Sequence, residues 1–316
     1  MTKPMLASDA VEEKIKYPCI IQPKVDGVRG INMHGYLTGR SLKAHANIHN
    51  TQFFSMGGFR GFDGELAAED ERHPDLCRLT TSAVSTIEGS PWLLWHVFDY
   101  LTPETKALPY HQRLAQLKIR YEQLRETSPS IVPHIKPITS VWCEDYATLL
   151  QYDAQWLSEG YEGTIVRDPQ GMHKEGRSTV REGGLLRIKR FIDAEAVVTG
   201  FEEGESNENE AQINELGLQF RSSHKANKVS NKMIGSMTGR LTADVSHMNK
   251  KLFKQGELVK ISPGKLTEEE RLYYFANPLK LLGQVSKFKL FPKGIKDKPR
   301  FPTHQSFKAL TDMHPN

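Results

Sequence analysis

Apolar residues recur along this chain in short runs in some stretches and at helical spacing in others, and each stretch predicts an element. Pro18 and Pro23 bracket a short apolar stretch that reads as β structure, and 27–39 reads as strands separated by turns. The run Leu93-Leu94-Trp95-His96-Val97-Phe98-Asp99-Tyr100, opened by Pro91 and closed by Pro103, reads as a buried strand. Between Tyr110 and Arg125, the apolar residues Leu114, Leu117, Tyr121 and Leu124 fall at helical spacing. Asp145 is placed to cap a second helix, with apolar positions Tyr146, Leu149, Leu150 and Trp156 and an end at Gly160. Gly163–Arg167 and, beyond a Gly-rich loop, Leu185–Arg190 predict two more strands. Strands mixed with two helices predict an α+β domain over residues 1–190.

The pattern then changes. Ala196–Phe201 starts a strand that runs into an acidic segment, 202–215, which reads as an exposed loop. Shorter strand stretches follow at Ile234–Leu241, Glu257–Ile261 and Leu281–Leu290, with turns at Gly256, Gly264 and Gly283 and a helix over Glu268–Ala276. Several strands with one helix predict a small β-barrel over 191–316, for which an OB-fold is the natural candidate. A length of 316 residues suits about two domains. No run approaches the roughly 18 apolar residues that span a bilayer, and the N-terminus lacks the apolar core of a secretory signal. Cys19, Cys77 and Cys143 are isolated and odd in number, which points to reduced thiols in the cytoplasm and excludes a disulfide framework.

Charge sharpens the division. Residues 1–190 carry 23 Lys and Arg against 23 Asp and Glu. Residues 193–215 hold eight acids and no base, whereas 216–316 hold 19 bases against 7 acids. A stretch this basic reads as a surface for a polyanion, because neutralising phosphates releases counterions. A solvated basic face is the plainer alternative.

Chemistry concentrates in short polar motifs beside the strands. The run Lys24-Val25-Asp26-Gly27-Val28-Arg29 follows the apolar pair Ile20-Ile21 and sets an amine among groups suited to phosphate. After it come Thr38-Gly39-Arg40-Ser41, Phe62-Asp63-Gly64-Glu65-Leu66, Val97-Phe98-Asp99, Glu162-Gly163-Thr164-Ile165-Val166-Arg167 and Leu186-Arg187-Ile188-Lys189. An attacking lysine must shed a proton held with a free pKa of about 10.4. Partial burial and the cations Arg29, Arg40 and Lys189 are expected to lower that value. Glu65 and Glu162 are the carboxylates suited to a divalent metal, and Phe98 offers a face for a purine. Each residue has a duller reading: Phe98 as core, the glutamates as solvated, Arg167 in a surface ion pair, Lys24 as an exposed lysine.

In order, K-x-D-G-x-R, an arginine, D-G-E-L, F-D, E-G-x-x-V-R and R-x-K resemble the nucleotidyltransferase motifs of ATP-dependent DNA ligases, and the resemblance covers essentially the whole chain. Pro4-Met5-Leu6-Ala7 resembles the start of such ligases, and the lack of any further domain resembles the small two-domain bacteriophage enzymes. The resemblance implies a nucleotidyltransferase (adenylation) domain with antiparallel sheets and flanking helices, followed by an all-β OB-fold domain that binds DNA. It makes Lys24 the nucleophile that takes AMP, with Arg29 and Arg40 on the nucleotide or the nick 5′-phosphate. Glu65 and Glu162 serve ribose and metal, Phe98 stacks on adenine, Gln22 reads the adenine edge, and Arg187 and Lys189 contact phosphates. Arg187 stands where the family often has lysine. The closing R-x-D-K motif of many ligases is replaced by Lys296-Asp297-Lys298-Pro299-Arg300, with Lys298 and Arg300 as possible stand-ins.

The implied activity seals 5′-phosphate/3′-hydroxyl nicks in duplex DNA, using ATP and Mg2+ or Mn2+, in a monomeric cytoplasmic protein without a membrane partner. A linker near residue 191 would let the barrel swing between ATP and DNA. Two alternatives stand beside it: an RNA ligase or GTP-dependent mRNA guanylyltransferase with the same lysine chemistry, and a non-enzymatic OB-type nucleic-acid binder.

Overall fold

A computed structural model describes residues 2–247, 250–295 and 298–308, in two compact units that divide after Lys189. The first unit is built on two sheets. One orders its strands Ser8–Asp9, Leu185–Lys189, Gly163–Arg167, Cys19–Pro23 and Val141–Cys143, all antiparallel neighbours except the first pair. The other orders Val28–Ile31, Phe62–Ala67, Leu94–Tyr100 and Ile135–Pro137, with only the last pair parallel. Lys24 to Gly27 form the connection from the first sheet to the second.

Helices cover these sheets with the faces that the sequence marks. In Tyr110–Thr127 the buried side chains include Leu114, Leu117 and Leu124. Tyr146–Glu159 starts where Asp145 Oδ1 accepts from the Thr148 amide at 2.8 Å, and it ends at Gly160, whose φ of 99° is left-handed. Two further helices, Ile48–Phe53 and Leu76–Ser85, are not announced by the pattern. The first is too short for a period to show. The second buries Leu76, Thr80 and Val84, so a polar residue stands inside its buried face. Phe54, Phe59, Phe62 and Trp95 form the centre of one core, and Cys19, Ile21, Leu149, Trp156, Val166 and Ile188 that of another.

The second unit is a five-stranded sheet in the order Leu258–Ile261, Lys228–Leu241, Ile192–Asn207, Val285–Phe291 and Arg300–Phe307, all antiparallel. Its two outer strands meet at one bridge, where the Ser262 amide donates to Pro302 O at 2.9 Å and the His304 amide to Ser262 O at 3.1 Å. The sheet therefore curls towards a barrel without closing into one, which amends the barrel expectation. Glu268–Ala276 is helical, with Thr267 and Glu270 in a reciprocal capping box.

The acidic segment is not a loop over its first half. Residues 202–207 continue the strand Ile192–Asn207, paired to Lys228–Leu241, and 211–213 pair with 219–221 in a small hairpin. Cross-strand partners satisfy the acids: Glu202 pairs with Lys260, Glu203 Oε1 accepts from the Lys232 amide at 2.8 Å, and Glu205 lies 3.8 Å from Lys228. A run of glutamates reads as loop only while its basic partners, distant in sequence, are out of view. Among the described residues no helix is long and apolar enough to cross a membrane.

Candidate active site

Backbone pairing brings the motifs together before any side chain acts. The Lys24 amide donates to Gly163 O at 2.8 Å, and the Glu162 amide donates to Lys24 O at 2.9 Å. Gly163 in turn lies opposite Lys189, and Arg29 lies opposite Glu65. The glycines permit these approaches. A Cβ on Gly27 would stand 2.1 Å from Leu66 O, and one on Gly163, which has a φ of 153°, would stand 2.2 Å from Ile188 O.

The result is a triad around one carboxylate. Lys24 Nζ pairs with Glu162 Oε2 and Lys189 Nζ with Glu162 Oε1, and Glu162 is buried. Burial works to raise the Glu162 carboxyl, but the two ammonium groups overcome it and hold it well below the usual carboxylate range. For Lys24 the balance is opposite to the sequence expectation. Burial lowers its affinity for a proton, yet Glu162, Glu65 and Asp26 together raise it above the ordinary lysine value. Without substrate, then, Lys24 is a firmly protonated ammonium, because the nearest charges are carboxylates rather than the arginines.

In front of Lys24 opens a pocket of about 540 Å³. Its described lining includes seven cations, Lys24, Arg29, Arg40, Lys43, Arg167, Arg177 and Arg187, against one carboxylate, Glu65. Such an enclosure favours a multiply charged anion. Arg29 is locked by a bidentate pair with Asp63, at 2.6 and 2.8 Å, and its guanidinium lies 4.7 Å from the centre of the Phe98 ring. Arg167 lies 5.3 Å from the same ring. It is buried and reaches Asp99 at 3.4 Å, so the surface ion pair considered for it does not hold. Phe98 is half-buried and faces the pocket, which sets aside its reading as core. Arg40 is exposed at the rim, and Arg187 pairs through Nε with Asp9 at 2.6 Å. Gln22, buried at the pocket wall, donates through Nε2 to Tyr110 Oη at 2.8 Å and Ser140 Oγ at 2.9 Å.

Seven of the sequence-marked residues thus share the pocket: Gln22, Lys24, Arg29, Arg40, Glu65, Phe98 and Arg187. Glu162 and Lys189 join through Lys24. Lys298 and Arg300 belong to the second unit, where Lys298 lines a groove and Arg300 stacks 5.3 Å over Phe291. Lys296 and Asp297 of the same stretch lie outside the described residues. Asp63, Tyr110, Lys43, His45 and Arg177 escaped the sequence reading as site residues. Asp63 stands inside the D-G-E-L motif and was open to it, whereas nothing near Tyr110 signals that its hydroxyl serves a residue 88 positions away.

The carboxylates also bear on metal binding. Burial first, then Glu162 and Asp26, push Glu65 up to about 7 against the pull of Lys24 and Arg29. Glu65 is therefore a carboxyl that an added cation would ionise. No cluster of three or more His, Cys, Asp or Glu side chains among the described residues forms a cage for a cation. The donor set suits an ion of the magnesium type, which takes one or two carboxylates and completes its shell from phosphate oxygens and water.

No family model matches the chain. Among curated proteins it is 27% identical to a DNA ligase of African swine fever virus (isolate Kenya) over 196 residues, 58% of this chain and 45% of that protein. The Namibian isolate's DNA ligase is 28% identical over the same share. The chain spans about half the length of the curated relatives it matches. Among solved structures, a Chlorella virus DNA ligase–adenylate shares 26% identity over 98% of this chain and 100% of its own, with a TM-score of 0.53. A Lig E DNA ligase shares 19% identity and a TM-score of 0.69 over 98% of this chain and 100% of its own, a likeness of fold. The folds are those of a ligase nucleotidyltransferase domain and an OB domain. In sequence and fold together, the chain resembles small ATP-dependent DNA ligases.

Proposed function

We propose that this protein is an ATP-dependent DNA ligase that seals 5′-phosphate/3′-hydroxyl nicks in duplex DNA. The observation that carries the reading is the placement of Lys24 Nζ, held by Glu162 in a pocket whose described lining has seven cations and one carboxylate. In the first step Lys24 gives its proton to solvent water and Nζ bonds to the α-phosphorus of ATP. The bond from that phosphorus to the bridging oxygen breaks, and pyrophosphate leaves. The AMP then passes from Lys24 to the 5′-phosphate of the nick. Finally the 3′-hydroxyl attacks that phosphate, AMP departs, and a phosphodiester remains.

The protein's part is positioning and charge neutralisation. Glu162, itself anchored by Lys189, aims Nζ; Arg29, Arg40 and Arg187 would hold phosphates, Phe98 would stack on adenine, and Gln22 would read its edge. Mg2+ or Mn2+ on Glu65, and on Glu162 where the ion displaces one of its two lysines, would when bound supply positive charge that weakens the hold of Lys24 on its proton and offsets the charge of the phosphates. The second unit's basic surface would bind duplex backbone without reading sequence. Cys19, Cys77 and Cys143, none of them in a disulfide, suit a cytoplasmic enzyme.

Intact-protein mass spectrometry after exposure to ATP and Mg2+ tests the reading. One AMP is expected on the wild-type chain and none on Lys24→Ala, which should also fail to seal nicked DNA. Labelling by GTP alone, or sealing confined to RNA, would transfer the protein to the RNA-directed alternative.

A further inference from the structure

The hydroxyls behind Gln22 leave its carboxamide no choice of orientation. A hydroxyl has a single hydrogen to donate. Tyr110 Oη gives its hydrogen to the backbone carbonyl of Phe98 at 2.8 Å, and Ser140 Oγ gives its own to that of Ile138 at 3.2 Å. A carbonyl only accepts, so both hydrogens are committed. Each oxygen then has lone pairs alone to offer Gln22, at 2.8 and 2.9 Å. The group facing them has to be the amide nitrogen, since a carbonyl oxygen there would meet two acceptors in a site where Gln22 is 1% exposed. Burial pushes the Tyr110 phenol up to about 12, which keeps it a donor to Phe98 near neutral pH. Tyr110 is further pinned by Arg167, whose guanidinium lies 4.4 Å from its ring, and by its own amide, which donates to Gly171 O at 3.0 Å.

Resting on the nucleotide-transfer reading above, we propose that Tyr110 and Ser140 are positioning residues that hold Gln22 with its carboxamide oxygen towards the base, so that the pocket selects a 6-aminopurine and rejects a 6-oxopurine. A 6-amino group donates to that oxygen. A 6-oxo group sets acceptor against acceptor, and turning the amide over would set its oxygen against the two hydroxyl oxygens. The same Tyr110 hydroxyl holds the Phe98 backbone, so one side chain fixes both the ring that would stack on the base and the group that would read it. Gln22 by residue type is indifferent between donor and acceptor, and its two hydroxyl partners remove the indifference.

The test compares ATP with ITP, in which an oxo group replaces the 6-amino group and N1 gains a hydrogen. The rate of nucleotide transfer to Lys24 is read by intact mass in the full-length chain. The wild-type protein should prefer ATP by about tenfold to a hundredfold. In Tyr110→Phe/Ser140→Ala the amide is free to turn over, and the ATP-to-ITP ratio should fall about tenfold while labelling by ATP persists. Ser140→Ala alone, which removes one half-buried hydroxyl, should lower the ratio by a smaller factor and serves if the double variant does not fold. A purely structural role would slow both nucleotides equally and leave the ratio alone. An unchanged ratio in variants that still label, or a wild-type chain that takes ITP as readily as ATP, would overturn the inference. A wild-type chain labelled by neither nucleotide would remove the transfer reading itself, and this inference with it.

Discussion

In the first unit Asp99, 1% exposed, receives Arg113 at 2.8 and 3.1 Å and Arg167 at 3.4 Å, and Glu162 is held between two lysines. In the second, Glu202 meets Lys260 with side chains 60% and 61% exposed, and Asp244 meets Lys251 in comparable exposure. Burying a charge costs several kcal/mol unless partners surround it, about as much as a whole domain's margin of stability. The first unit carries that cost repeatedly, and each instance orients a group at the pocket. The second keeps its charges in water, where each pair is worth little and the sum acts as a field. One unit uses charge as fixed geometry and the other as potential.

That contrast breaks most readily at Asp99. Asp99→Ala leaves two buried guanidinium groups without their carboxylate and should cost about 3–5 kcal/mol. Urea unfolding followed by tryptophan emission reads this directly, because all four tryptophans, Trp92, Trp95, Trp142 and Trp156, belong to the first unit. A loss below about 1 kcal/mol would show that Asp99 is solvated in solution.

A second, smaller effect is pH-dependent. His96 is buried beside Glu71, whose Oε2 lies 3.9 Å from its Nε2, with Lys136 and Asp70 also facing it. Burial, aided by Lys136 and opposed by Glu71 and Asp70, lowers its pKa to about 4. In the unfolded chain histidine titrates near 6.5. Between those values the unfolded state binds the extra proton, so stability should fall as pH falls from about 6.5 to 4, by at most about 3 kcal/mol. The same emission-detected unfolding in His96→Gln should lose this slope. Carboxylates such as Glu162, held low, would take effect only at more acid pH.

The smallest effect belongs to the second unit. Lys260→Ala should change stability by less than about 1 kcal/mol, and that little should vanish in high salt. Calorimetry at two salt concentrations checks it. A change as large as that at Asp99 would erase the distinction between the units.

Much of the site was legible beforehand. Lys24, Arg29, Glu65, Phe98 and Glu162 stand in motifs whose residue types declare their chemistry, and the structure brings them to one place. The cap at Asp145 and the stop at Gly160 were equally plain, since capping is chemistry among near neighbours in sequence. The errors share a cause. The glutamates of 202–207 looked like a loop because their strand partners lie beyond residue 227. A surface ion pair stood as the duller reading of Arg167 because Asp99, 68 positions earlier, is out of view in the sequence.

By itself, then, the sequence determined which groups this protein has for attacking, holding and neutralising a phosphate, and in what order along the chain they occur. Tertiary structure decided their state: Lys24 charged rather than free, Glu65 poised near neutrality, and Gln22 with its amide nitrogen committed to Tyr110 and Ser140. Residue type fixes what a group is capable of. Protonation and amide orientation depend on the field and hydrogen-bond supply of neighbours 138, 88 and 118 positions away, and only folding brings those within reach.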